Sequence, residues 1–435
     1  MMDGNRRGVK LQLKRRFLGS FVTLIFLLLL ILVNGVAAER TRVSFWVWGP
    51  AALLREEFAE AERRFPEIEL HTRGIAAPLY NSVLNIALQA GRGPDIFLVR
   101  TNPMPALYAR AGLVMPLDDR IPILAEYSQV SREAVSYRGQ IYAIPTSIQT
   151  LQIFYNTEIF ERFDLREPST WDELLEIART LQTNGVTPFF VAGREAWMWM
   201  LIHEVIGASF LRNEWTEQLV AGQVNFTDEK FVDSLRMLLE LVPYFQPDFM
   251  ATNDMDQATA FANGEVAMIF GGIERLTLHR LINPEIEGKI GMFLAPPRDR
   301  SQEPLAYTFI AAGIAVNARL PEEKREAVLR LANFLASREM GELLARKLNI
   351  ISPVPGVVID DDLPLSHQAL GFLDRALEPI YANGSVFNLG RPSITQLMQR
   401  NLQEMVAGLI PPEEAARRIQ VGISGWWHPG WSFDR

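Results

Sequence analysis

"YRGQIYAIPTSIQTLQIFYNTEIF" spans Tyr137 to Phe160, and its reading decides the fold. A glycine turn opens it, an apolar run leads to Pro145, and an aromatic run ends at Tyr155-Asn156. Between them Thr146, Ser147, Gln149, Thr150 and Gln152 interrupt the aliphatics. A strand in the middle of a core has little use for so many hydrogen-bonding groups, since each needs a partner once water is gone. A strand crossing between two lobes, with a wet cleft beside it, has a use for all of them.

The sequence on either side supports two lobes. "RVSFWVWG", Arg42 to Gly49, reads as a buried strand stopped by Gly49-Pro50. Leu54, Phe58, Ala61 and Phe65 then recur at helical spacing until Pro66. "EIELHTR", a helix over Pro78–Ala90, "PDIFLV" at 94–99 and a short helix over Met104–Ala111 continue the alternation. After the opening stretch, Thr170 and Glu173 have capping-box spacing ahead of an amphipathic helix closed by Gly185. "TPFFVA", a helix over Trp197–Ile206, another over Phe231–Leu241, "VAMIF" at 266–270, "IAAGIAVN" at 310–317 and a helix over Pro321–Ala336 follow. Strands alternating with helices of this length imply α/β units, and 435 residues suffice for two or three domains at roughly 100–200 residues each. In such sheets ligands bind at the carboxyl ends of the strands, and between two lobes the cleft is the expected site.

The first residues read differently. Arg6, Arg7, Lys10, Lys14, Arg15 and Arg16 precede the apolar stretch Phe21–Val33, and Val36 and Ala38 occupy the small-residue positions of a cleavage site. This is the layout of a secretory signal peptide over residues 1–38; the competing reading is an uncleaved anchor, for which the apolar stretch is short of the roughly 20 residues of a span. Cleavage would remove those six basic residues and one acid, leaving a chain more acidic than the overall charge of −8. An acidic chain is a poor candidate for nucleic-acid or anionic-lipid binding. The absence of cysteine excludes disulfides, thiol catalysis, cysteine-ligated metals and a lipidated N-terminal cysteine.

Catalytic punctuation is sparse. There is no G-x-S-x-G, Walker A, complete G-x-G-x-x-G or H-E-x-x-H. His71, His203, His279, His367 and His428 lack ligand spacing to one another, and the acidic pair Asp118-Asp119 and run Asp360-Asp361-Asp362 read as solvated turns. No metal, cofactor or catalytic residue is expected.

The residues resemble a known family, the periplasmic solute-binding proteins of ABC sugar importers, in the maltose-binding class. The resemblance covers nearly all of residues 41–420. It rests on "GPDIF" at 93–97, "YARAGLVMPLDD" at 108–119, the opening stretch continued to Phe163, "PSTWDELLEIARTLQ" at 168–182, "FANGEVAMIFGG" at 261–272 and "AAGIAVNARLPEEKREAVLRLANFLAS" at 311–337. It implies an α/β, two-lobed periplasmic-binding-protein fold of type II, each lobe a mostly parallel sheet flanked by helices. The implied division is an N-lobe of 39–147 and 306–351, a C-lobe of 148–305 and 352–422, and a Trp-rich tail of 423–435. The chain would cross between lobes at Ile144–Gln152, near Tyr307–Gly313, and after about Ile351, with Thr146–Gln149 on the cleft floor. It further implies a sugar held by hinge closure and delivered to membrane permeases driven by a separate ATPase, in the periplasm, by a monomer.

Sugar faces stack on aromatic rings and sugar hydroxyls need partners when buried. Trp48, at the carboxyl end of the first strand, is therefore a candidate plate, with Trp46 deeper in the core. The resemblance adds Asn102 after the third strand, with Arg100 beside it, Gln149 in the crossing segment, Trp197 rather than Trp199 as a C-lobe platform, and Tyr307 and Thr308 at the second crossing. Phe387 and Arg391 are further candidates late in the chain. "FGGIER" departs from the family pattern: Glu274 stands where relatives carry a stacking Trp, so Glu274 or Arg275 is expected to meet a polar group of the solute. Rival readings are a binder of a phosphorylated polyol or other polar solute, an exported carbohydrate-active enzyme, and a signal-anchored receptor. The tail "GWWHPGW" at 425–431 is expected to dock on the protein's own surface.

Overall fold

The computed structural model describes residues 40–49, 55–101, 103–377 and 386–429. Asn102, Trp431 and the expected signal segment lie outside the described residues. Nine strands form one continuous sheet and two short ones, β4 (Ser136–Tyr137) and β5 (Gln140–Ile141), a separate hairpin. In the large sheet, β1 (Thr41–Trp48) pairs in parallel with both β2 (Ile68–Ile75) and β3 (Ile96–Arg100). At the far end β7 (Thr187–Phe189) runs parallel to β8 (Val266–Gly272). Between these groups lie two long strands, β6 (Ile144–Asn156) and β10 (Ala306–Val316), antiparallel to each other. β6 also pairs antiparallel with β8 and with β9 (Ile290–Phe293), β10 antiparallel with β3 and parallel with β11 (Ala376–Leu377). The parallel expectation thus holds at the outer strands, while every antiparallel pairing in the sheet involves β6 or β10. That follows from their role, since a chain that leaves one lobe and returns must run both ways across the gap.

Apolar burial divides the molecule accordingly. One core packs Val43, Phe45, Val47, Leu84 and Phe97 with Ile144 and Ile314. A second packs Leu151, Ile153, Trp171, Trp199, Phe231 and Phe387. A third, on the opposite face of the C-lobe strands, packs Phe154, Ile269, Met292 and Phe372. The Trp171–Thr183 helix begins as its sequence predicts, with Thr170 accepting from the Glu173 N–H at 3.3 Å; the Glu173 carboxylate reaches past the cap to the Ser169 N–H at 2.7 Å. The predicted 197–206 helix runs longer, over Ala196–Val220, broken at Arg212 where φ is +63°. The described part of the tail docks on the chain's own surface: Trp427 lies 4.6 Å from Phe387 and the Trp426 indole donates to the Pro392 carbonyl at 2.9 Å.

The β6–β10 ladder carries two opposed irregularities. Ile310 faces Ile148 and Ala312 faces Ser147, so Ala311 is extra on β10; Gly313 faces Pro145, so Thr146 is extra on β6. Each bulge kinks its strand and the pair restores the register. The Thr146 hydroxyl donates to the Ala312 carbonyl at 3.1 Å, and the Thr101 hydroxyl donates to the Ile310 carbonyl. A further segment joins the ladder here, the Ile148 N–H donating to the Ile351 carbonyl at 2.8 Å.

Tyr307, a sequence candidate for ligand contact, is fully buried. Its ring is 0% exposed in the second core, close to the buried carboxyl of Glu204. Burial pushes the Glu204 carboxyl up to about 8, and burial of the neighbouring His203 imidazole pushes it down to about 3. The signs separate. Glu204 keeps a proton in the native state that the unfolded chain releases, so it makes stability fall as pH rises from about 4.5 to about 8. His203 resists a proton that the unfolded chain takes up, so it makes stability fall as pH drops below 6.5. Between pH 6.5 and about 8, Glu204→Gln is therefore expected to flatten a downward slope of the wild-type urea midpoint, measured by tryptophan fluorescence.

In the first core Asp95 ties three elements together. It accepts from the Ser44 N–H and hydroxyl, both at 2.8 Å, and pairs with Lys324 at 3.2 Å. Asp95→Ala leaves the Ser44 N–H without its acceptor and is expected to lower unfolding free energy by about 2–3 kcal/mol, read from urea denaturation.

Candidate functional site

The carboxyl ends of β1 and β3 face the C-lobe across the crossing strands, and two cavities open there. One, of about 330 Å³, is mainly apolar and is lined by Trp48, Leu98, Thr146, Ser147, Gln149 and Glu274, with Leu278 and Leu344 among others. The other, of about 290 Å³, is lined by Asn81, Arg100, Thr101, Phe309, Asn388 and Arg391, with Ser393 and Gln396 among others. Both take side chains from the two lobes. They share Ala311, the extra residue of the β10 bulge.

Trp48 ends β1 and is held on two sides. Its ring meets Tyr80 edge-on at 5.5 Å, and the Arg100 guanidinium lies 4.9 Å from its centroid. Tyr80 is itself fixed, its hydroxyl donating to the Leu98 carbonyl at 2.7 Å and the Trp46 carbonyl at 3.1 Å. The Trp48 ring is thus held in one orientation by its own neighbours.

Gln149 and Glu274 meet across the crossing strand. Glu274 precedes the Arg275–Ile282 helix and lines the same cavity as the Gln149 side chain. Burial raises the pKa of its carboxyl, against the opposing pull of Arg275. Its Oε2 is buried with no hydrogen-bond partner among the described residues. A lone acceptor beside an apolar cavity is suited to a donor brought by a ligand. Arg275 is already committed: it pairs with Asp254 at 2.6 Å and stacks 5.5 Å from the Trp197 ring.

The sequence candidates therefore separate. Trp48, Gln149 and Glu274 line the apolar cavity, and Arg100 and Arg391 the polar one. Trp197 is half-buried under Arg275 and lines neither; Trp199 is in the core, its indole donating to the Gly193 carbonyl at 3.0 Å. Tyr307 and Phe387 are core residues, Thr308 is half-buried outside both cavities, and Asn102 lies outside the described residues. Of the crossing segment's polar groups, Thr146, Ser147 and Gln149 line the apolar cavity. Gln152, with its amide oxygen accepting from the Ile273 N–H at 3.1 Å, donates to the Thr150 hydroxyl at 2.9 Å and serves the interior.

Asn81, Phe309 and Asn388 were not foreseen. Asn81 was within reach of sequence reasoning, since it stands in the first turns of the Ala77–Gln89 helix that follows the carboxyl end of β2. Phe309 and Asn388 carried no such signal, because the bulge and a distant loop bring them there.

Residues 49–342 match the family model for bacterial extracellular solute-binding proteins. An uncharacterized ABC transporter extracellular-binding protein of Pyrococcus horikoshii is 27% identical over 53% of this chain and 55% of its own length. A maltotriose-binding protein of Pyrococcus abyssi is 34% identical over 23% of this chain and 21% of its own. The match to a multiple sugar-binding protein of Streptococcus mutans is 23% identical over 56% and 59%. The chain thus spans at most about half to three-fifths of these curated relatives. Among solved structures, a chitin oligosaccharide binding protein superposes with a TM-score of 0.77 at 20% identity, covering 89% of this chain and 99% of that one. The maltose-bound MalE3 of T. maritima gives 0.75 at 18% identity over 89% and 100%. At that identity these likenesses carry the fold, which is the two-lobed one. On the span of the family match and the architecture together, this chain belongs to the bacterial extracellular solute-binding proteins.

Proposed function

We propose that this chain is the exported, ligand-capturing component of an ABC sugar importer, working in the periplasm as a monomer and doing no chemistry on its cargo. The observation that carries the reading is the placement of a pre-oriented Trp48 and the Gln149–Glu274 pair in a cavity walled by both lobes, over a strand pair that joins them. A ligand touching both walls favours the closed form by whatever affinity it gains only there. The bulges at Ala311 and Thr146 are the hinge, within a division into lobes of 39–147 plus 306–351 and 148–305 plus 352–422. The closed form then docks on permease subunits whose ATPase is a separate chain. The names of the relatives, several of them sugar-binding proteins, support a carbohydrate ligand.

In the apolar cavity the sugar ring packs on Trp48 and a hydroxyl donates to Glu274. Replacing the usual stacking residue by a carboxylate trades one apolar face for one hydrogen bond to a charged group, so the sandwich on the C-lobe side is open. Such a site fits a short sugar better than a long glucan.

The test is thermal denaturation of purified, ligand-stripped protein with mono-, di- and oligosaccharides and polyols. Ligand at about 100 times Kd stabilises by roughly 2.7 kcal/mol, enough to separate one sugar class from the rest. Trp48→Ala and Gln149→Ala are each expected to weaken that binding about tenfold or more, near 1.4 kcal/mol, in calorimetric titration, with unliganded midpoints little changed. Recovery of the sugar unaltered after prolonged incubation separates capture from hydrolysis. Failure of every carbohydrate to shift the folded protein would overturn the reading.

A further inference from the structure

The polar cavity differs from the apolar one in its charge. Arg100 enters it from the end of β3 in the N-lobe, and Arg391 from the loop before the Ile394–Val406 helix in the C-lobe. Its other polar lining groups are amides and hydroxyls, Asn81, Thr101, Asn388, Ser393, Thr395 and Gln396; among the described residues no Asp or Glu lines it.

Elsewhere this acidic chain pairs its arginines freely. Arg236 meets Glu229, Asp233 and Glu413, and Arg418 meets Glu404 and Glu414. Among the described residues neither Arg100 nor Arg391 has a carboxylate within ion-pair distance: Arg100 stacks on Trp48, and Arg391 reaches only the Gly390 carbonyl, at 3.4 Å. Two uncompensated guanidiniums on opposite walls of one cavity repel each other as the walls approach. An anion between them reverses that sign.

The loop that carries Arg391 is braced for such a role. The Trp426 indole donates to the Pro392 carbonyl at 2.9 Å, and a Cβ at Gly390 would run into the same indole, so only glycine allows the approach. Asn388 accepts from the Thr395 N–H at 3.1 Å, and Ser393 and Gln396 form a reciprocal cap. On the other wall Arg100 is aligned by the Trp48 face.

Resting on the carbohydrate reading above, we infer that the ligand is an acidic carbohydrate, whose carboxylate or phosphate bridges Arg100 of the N-lobe and Arg391 of the C-lobe while its ring lies toward Trp48. Ala311, common to both cavities, marks where the ring and the anionic group join. Planar guanidiniums match carboxylate and phosphate oxygens two at a time, a geometry that lysine cannot copy. Closure is then driven by an attraction absent in the unliganded protein, and neutral sugars are discriminated against by the repulsion they leave in place.

The test is calorimetric titration of the full, ligand-stripped protein with matched pairs: glucose, glucuronate and glucose 6-phosphate, then glycerol and glycerol 3-phosphate, each at low and high sodium chloride. The expected result is at least tenfold tighter binding of an anionic member than of its neutral parent, with the advantage shrinking in high salt. Carboxylate and phosphate arms identify which anion is preferred. Arg391→Gln and Arg100→Gln should each remove at least tenfold of the anionic affinity, and Arg391→Lys only part of it. Unliganded melting curves check that each variant is folded. Neutral sugars binding as well as or better than their acidic partners would overturn this inference alone and leave sugar capture standing. Failure of neutral and acidic compounds alike, in folded protein, overturns both.

Discussion

The architecture depends on the hydrogen-bonded pairing of β6 with β10. These two strands run from one hydrophobic core to the other and give the lobes their main shared backbone ladder. A conventional pair of domains on a single linker leaves relative orientation to the linker and the interface. Here the ladder fixes the direction of approach, because a two-stranded ribbon twists and bends more readily than it slides. The opposed bulges at Ala311 and Thr146 lie where the cavities meet, and the ties from Thr101 and Thr146 satisfy carbonyls that the bulges would leave open.

The cleft chemistry follows from the same constraint. Carboxyl ends of parallel strands deliver Trp48 and Arg100 from one side. The crossing strand supplies Gln149, and the turn after β8 supplies Glu274. No large rearrangement is needed to bring these groups together, because each stands at the end of an element whose buried residues are already fixed.

Much of this was legible in the sequence, for a reason that Thr146, Gln149 and Gln152 illustrate. Polar residues in an apolar strand must be satisfied, and the possible satisfactions are few: a bulge, a cavity or an internal tie. All three occur. The strands and helices were equally readable where periodicity and caps agree, as at Thr170. The faces of β10 were not. Tyr307 and Phe309 point the same way two residues apart, yet one is sealed in the C-lobe core and the other lines the cleft, because the lobe ends between them. Nothing in composition says where a core stops. Asn388 is hidden for another reason: its position depends on how a late loop packs against Trp426 and the Ile394–Val406 helix.

The discontinuity of each lobe also shapes how the chain acquires its structure. The first core needs Ile314, Ala315 and Ala336 as well as Val43 and Phe45, and Asn317 bonds the carbonyl of Pro94, 223 residues earlier. The N-lobe is therefore incomplete until most of the chain is available. Contacts so distant in sequence close slowly, since loop entropy is lost before they reward it. A ribosome-bound chain short of β10 would hold β3 and β6 without their partner. Late completion of its earliest-made lobe thus keeps the chain open to unfolding until residues as far along as Ala336 are in place.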